Sequence, residues 1–249
     1  MLRKTFILII FIPLISAVSF ASITKEKASV DEVAAVQFPV TAGIRVELEN
    51  KYLQQILADV ITIKGGKIGE ILGKFQSNTS PWIWIIGEDD LSENVNGTTQ
   101  FTSEGALTLL DGDKFNEATD LSVARTIIHE MIHAYLTLYF MNDAANARKD
   151  YPAILNAWVI SKDPDYNKIQ HDEIERSFID EIALALDEYS DAIGLIDVDN
   201  SVYTDLAWGG LDFKNNAGLT SETKRRIQNR LLAEQLNEPS GTETPVAFK

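Results

Sequence analysis

His129, Glu130 and His133 stand together in the stretch ARTIIHEMIHAYL, Ala124 to Leu136, among apolar residues. Buried polar groups are costly unless something satisfies them, so a plain core helix would not carry these three without a reason. Side chains four apart on a helix share a face, about 6 Å along it, so His129 and His133 can offer two imidazole nitrogens to one tetrahedral zinc. Glu130, one position round the helix, can then act as a general base on a water held at the same place. The pattern HExxH therefore predicts metal-assisted hydrolysis.

A catalytic zinc ordinarily takes three protein ligands and keeps one position open. The compact arrangement with a third His six residues on is missing, since Leu136 and Tyr139 occupy the positions of its Gly and His. The chain has three histidines in all, which leaves His171. It heads a stripe through Ile174, Glu175, Phe178, Ile182, Ala185, Leu186 and Tyr189 that suits packing of a second long helix on the first. A His on such a stripe ordinarily hydrogen-bonds in a core, but a His pair short of one ligand favours His171 as that ligand. Glu175 is the alternative and Glu173 a more distant one. With no cysteine, neither a thiolate site nor a disulfide framework exists. The donor for a developing oxyanion stays unassigned among Tyr135, Tyr139, Tyr189 and Tyr203.

These residues need elements to hold them. Thr119 or Asp120 caps a helix from about Leu121 to Phe140, and Asp163–Pro164 opens a second, running to about Tyr189. Upstream, Leu48, Tyr52, Leu53, Ile56, Leu57 and Val60 have helical spacing, and a shorter helix follows Gly65–Gly66. SPWIWIIG and GALTLLDGD read as strands, either of which could border the cleft and pair with an extended peptide. The segment GEDDLSENVNGTTQF between them reads as a polar loop, MNDAANARKD as a connection, PAILNAWVI as a short helix, and residues 194–213 as loop and turn. Asp197–Trp208 begins like a calcium loop but has Val202 where Gly belongs and Trp208 where Glu belongs, so it reads as an acidic turn. A final helix spans about Ser221 to Leu236. The fold class is α+β: helix-rich, one domain over 37–236, with a small sheet ahead of the HExxH helix.

Both ends carry their own signals. Arg3 and Lys4 precede an apolar run broken by Pro13, with Ser19 and Ala21 spaced for signal-peptidase cleavage, which predicts a signal peptide over 1–21 and an exported, periplasmic or secreted protein not held at a membrane afterwards. Residues 22–36 read as a flexible leader and 237–249 as a disordered tail. Removing Arg3 and Lys4 takes the net charge from −15 to −17. That acidity argues against nucleic acid as a partner, because phosphates call for Lys/Arg clusters.

ATDLSVARTIIHEMIHAYL, QHDEIERSFIDEIALALDEY and LAWGGL together resemble the SprT-like zincin metallopeptidase domains, in particular those of exported bacterial proteins, over about Trp82 to Leu211. The resemblance implies a zincin-like fold in which two long helices carry the metal ligands, His171 being the third beside His129 and His133. It implies Zn2+ as cofactor, Glu130 as the catalytic base, and a protein or peptide as substrate. SprT-like proteins with nuclear roles carry cysteine-rich zinc ribbons or DNA-binding segments, which are missing here. A zinc-holding domain that binds a partner without turnover, and a zinc amidase acting on cell-wall peptides, are the rival readings.

Overall fold

Trp84, Ile85 and Ile86 are apolar on successive positions, as a strand covered on both faces must be, and they form the centre of a small sheet. The computed structural model describes residues 43–77, 81–154 and 166–246. The expected signal peptide and leader lie outside these residues, as does most of the helix expected at PAILNAWVI and the Asp163–Pro164 cap. The sheet has strands β1 (Ile44–Val46), β2 (Trp84–Glu88), β3 (Gly97–Thr102) and β4 (Gly105–Leu110) in the order β1-β2-β4-β3. The β1–β2 and β2–β4 pairs are parallel, whereas β3 runs antiparallel to β4 and ends the sheet. Between β1 and β2 come α1 (Lys51–Val60), capped by the Asn50 side chain, and α2 (Gly66–Gln76).

After β4 the chain enters α3 (Asp120–Asn142), which begins where Thr119 accepts a hydrogen bond from the Ser122 amide. Every residue from Leu121 to Phe140 is buried, so the helix runs through the middle of the fold and not along its surface. It packs against β3 and β4 on one side and against α1 on another. The segment expected as a plain connection contains α4 (Ala144–Asp150), started by the Asp143 side chain. The protein is thus a mixed α/β fold, dominated by helix, with a small four-stranded mixed sheet.

Three expectations are corrected here. The second long helix expected from the sequence, the one with His171, is not continuous: α5 (Tyr166–Ser177) and α6 (Ile179–Ala192) are separated at buried Phe178, where φ is −131° and ψ −6°. The hydrophobic stripe stays in step across that break, so periodicity could not show it. The region read as loop and turn contains α7 (Asn200–Ala207), whose first turn is capped by Asp199 and whose Val202, Tyr203 and Leu206 are buried. Asp205, 1% exposed, accepts two hydrogen bonds from Arg226 of α8 (Ser221–Leu236), at 2.8 and 2.9 Å.

The third correction concerns the tail. Residues 237–246 lie against α8: Ser240 and Glu243 form a bridge, Arg230 donates to Glu243 Oε2 at 2.7 Å, and the Val246 amide donates to Glu234 Oε1 at 3.0 Å. Glu234 is wholly buried and also accepts from Thr119 Oγ1 at 2.6 Å, so this segment helps satisfy a carboxylate that would otherwise be costly. Among the described residues no helix is long and apolar enough to cross a membrane.

Candidate metal centre

Because α3 is covered on all sides, its polar residues can face only a neighbouring element or a cavity. His129 and His133, each 4% exposed, bring their Nε2 atoms to 3.1 Å of one another. α5 brings His171 beside them, with its ring centre 5.3 Å from that of His129 and 5.0 Å from that of His133. One ligand atom from each of the three lies within 4.8 Å of the others, a group that could hold a metal ion. The separation of two nitrogens on a tetrahedral zinc is about 3.3 Å, close to the His129–His133 distance.

The hydrogen bonds fix how the nitrogens face. Gln170 Nε2 donates to Tyr166 OH at 3.0 Å and to Thr137 Oγ1 at 3.3 Å, which leaves its Oε1 turned to His133 Nδ1 at 2.9 Å. His133 Nδ1 is then the protonated nitrogen, and its Nε2 lone pair points at His129. Burial, with repulsion from His133, His171 and Arg125, holds His129 well below the ordinary 6.5, and burial takes His133 and His171 down to about 4. All three imidazoles are therefore neutral near pH 7, the form that binds a metal. Neutral nitrogens converging in a buried space with a lone pair already oriented fit a divalent transition metal, and zinc suits a set of three imidazoles. His129 Nδ1 has no hydrogen-bond partner. Over that ring lies Gly210, with φ +84°, where a Cβ would sit 3.1 Å from His129 Cε1 and 3.2 Å from Nε2. The second glycine of LAWGGL thus lines the site.

Glu130 lines the same cavity, of about 330 Å³, with the three histidines and residues of β3. Its carboxylate is held by a directed chain. The Trp84 indole donates to Thr108 Oγ1 at 2.9 Å, Thr108 lies 2.7 Å from Thr99 Oγ1, and Thr99 donates to Glu130 Oε2 at 2.8 Å. An indole N–H can only donate and an ionised carboxylate can only accept, so each hydroxyl in the chain passes its hydrogen towards Glu130. Burial raises the Glu130 carboxyl to about 7, while Thr99 and Arg125 favour its ionised form. A carboxyl poised near neutrality is suited to exchanging protons. Under the function proposed below, Thr99→Val should lower kcat by about tenfold with KM little changed, since a hydrogen bond to a charged group is lost, and Thr99→Ser should restore the rate. A Thr99→Val variant as fast as wild type would show that the chain does not position Glu130.

The structure brings His129, Glu130, His133 and His171 into one cavity. Glu175 instead accepts from Asn216 Nδ2, and Glu173 from Arg176 and Ser177, so neither joins the group. None of the four tyrosines lines this cavity. Tyr135 stacks on Trp82, Tyr139 donates to Asp150, Tyr203 donates to Ser190, and Tyr189 is fully buried. The bordering strand is also corrected: β3 lines the cavity through Gly97, Thr98 and Thr99, while β2 and β4 lie inside the sheet. Sequence alone does not mark Thr99, Gln170 or Asn167 as site residues, and it offers Gly210 only as part of LAWGGL, with no role in the site. For Gln170 and Asn167 a signal existed, since they sit beside His171 and one turn before it.

No known protein family, curated protein or solved structure matches this chain.

Proposed function

We propose that this protein is a zinc metallopeptidase of the SprT-like zincin kind, exported to the periplasm or the medium, that hydrolyses peptide bonds of proteins or peptides. The observation that carries the reading is the placement of Glu130, raised to about 7 and held by Thr99, in one cavity with three neutral imidazoles. His129, His133 and His171 would hold the zinc, which when bound supplies Lewis-acid polarisation of the scissile carbonyl and of a water. Glu130 takes a proton from that water as it attacks and delivers it to the leaving amine. Thr99 keeps the carboxylate turned into the cavity, and Gln170 keeps His133 in the tautomer with a free Nε2. β3 pairs with β4 alone among the described strands, so its outer edge can accept an extended peptide chain beside Glu130.

The test is metal analysis followed by hydrolysis. About one zinc per chain is expected, with casein cleavage that a chelator abolishes and added zinc restores. A zinc-loaded protein that leaves both casein and peptidoglycan fragments intact would be a holding domain. One that cuts only the fragments would be an amidase, and a protein with no affinity for zinc would end the proposal.

A further inference from the structure

Arg125 precedes His129 by one helical turn on α3, and nothing in the reaction above uses it. It is 8% exposed, its Nε has no hydrogen-bond partner, and among the described residues its guanidinium forms no ion pair. Buried charges are ordinarily paired, because removing an ion from water costs several kcal/mol unless an opposite charge or hydrogen bonds replace the solvent. Glu130 is the acid whose charge Arg125 feels, but that carboxylate is turned to Thr99.

Arg125 lines a groove of about 350 Å³ distinct from the histidine cavity yet adjoining it, since Asn96 and Gly210 line both. Phe213, Leu231 and Leu232 give it apolar walls, Lys214 adds a second cation, and no acidic residue lines it. In a chain with 37 acidic residues and 22 basic ones, that composition is opposite to the rest of the sequence. The backbone also makes room for the guanidinium: a Cβ at Gly209 would lie 2.6 Å from Arg125 Cζ and Nε. Gly209 therefore lets the turn lie flat on the arginine, while Gly210 does the same on His129.

We infer that the Arg125 groove is a carboxylate-binding subsite beside the metal centre, in which the guanidinium fork takes both oxygens of a carboxylate and Phe213, Leu231 and Leu232 take its methylene stem. An Arg fork matches a carboxylate in bidentate geometry, and the partner would complete the pairing that the fold leaves open. Assigning the carboxylate to a peptide substrate rests on the peptidase reading. One helical turn is about 5.4 Å and an extended peptide advances about 3.3 Å per residue, so the carboxylate would sit one or two residues from the scissile bond. An Asp or Glu side chain and a terminal carboxylate present the same chemistry.

Calorimetric binding to the purified protein tests the site without hydrolysis, using three probes. N-acetylglutamate α-amide carries only a side-chain carboxylate, N-acetylglutamine only a terminal one, and N-acetylglutamine α-amide neither. At least one charged probe should bind about tenfold tighter than the neutral one, and whichever does so identifies the source of the carboxylate. Arg125→Met should erase that difference while zinc content stays at the wild-type level. Arg125→Lys, which keeps charge but loses the fork, should weaken the charged probe several-fold and covers the case in which the methionine variant does not fold. Equal binding of all three probes to wild type, or a preference undiminished in both variants, would overturn the site. Absence of peptide hydrolysis with the charge preference intact would instead remove the peptidase reading and leave the site standing.

Discussion

Glu130→Gln should retain its zinc and melt near the wild-type temperature, while hydrolysis falls by at least about a hundredfold, the lower end for loss of a general base. The substitution keeps the shape of the side chain, and a glutamine Oε1 can still accept from Thr99, so the cavity has no reason to collapse. What disappears is the proton acceptor. The protein stripped of metal gives a second, non-catalytic readout of the same residue. Burial raises the Glu130 carboxyl from 4.5 to about 7. An acid whose folded value is raised contributes stability at low pH, fully present below 4.5 and lost as pH rises through 7. Wild type stripped of metal should therefore lose stability between about pH 4.5 and 7 relative to Glu130→Gln, which has no charge to bury. Substantial hydrolysis by Glu130→Gln would remove the mechanism.

His129→Ala and His133→Ala should purify without zinc and without activity. Both should also unfold more easily, because binding energy that the native state gains from its metal is stability. His133→Ala carries an additional cost, since Gln170 Oε1 would be left buried without its partner, about 1–3 kcal/mol. His171→Ala should lose affinity for zinc and activity together, with Glu175→Ala unaffected in both. If His171→Ala kept its zinc while Glu175→Ala lost it, the third ligand would be Glu175, despite its contact with Asn216. Full occupancy in either of the first two variants would mean that the pair does not bind the metal.

The metal-site candidates were legible because HExxH is a local pattern: a spacing of four on a helix fixes a shared face whatever surrounds it. His171 was legible by elimination, there being no other histidine. α8 and the start of α3 were readable for the same local reason, as Thr220 and Thr119 each cap the turn that follows. β3 was not, since Thr98, Thr99 and Gln100 have no apolar alternation and their pairing with β4 is decided by residues seven to eleven positions away. Arg125 and Gly209 were hidden for a related reason. Nothing in a sequence shows that a guanidinium has no partner, or that a turn some 84 residues later lies on it. α7 does carry a local signal, since Asp199 is a cap and Val202, Tyr203 and Leu206 keep helical spacing, but Asp197, Asp199 and Asp205 also match part of a calcium loop, and the two patterns compete.

The separation of α5 from α6 gives the histidines a further consequence, one of chain topology. Two of the imidazoles belong to α3, the most buried helix, whereas the third rides on a short helix that ends at Ser177. Joined through a metal, His133 and His171 would close a loop of about 38 residues in a chain that has no cysteine with which to form a disulfide. Such a link is released on unfolding, so it stabilises by the free energy of binding the ion to the native chain and not by restricting the unfolded one. An ion held there would then also act as a staple, and without it α5 is tied to α3 by packing and by the Gln170 hydrogen bonds to His133 and Thr137.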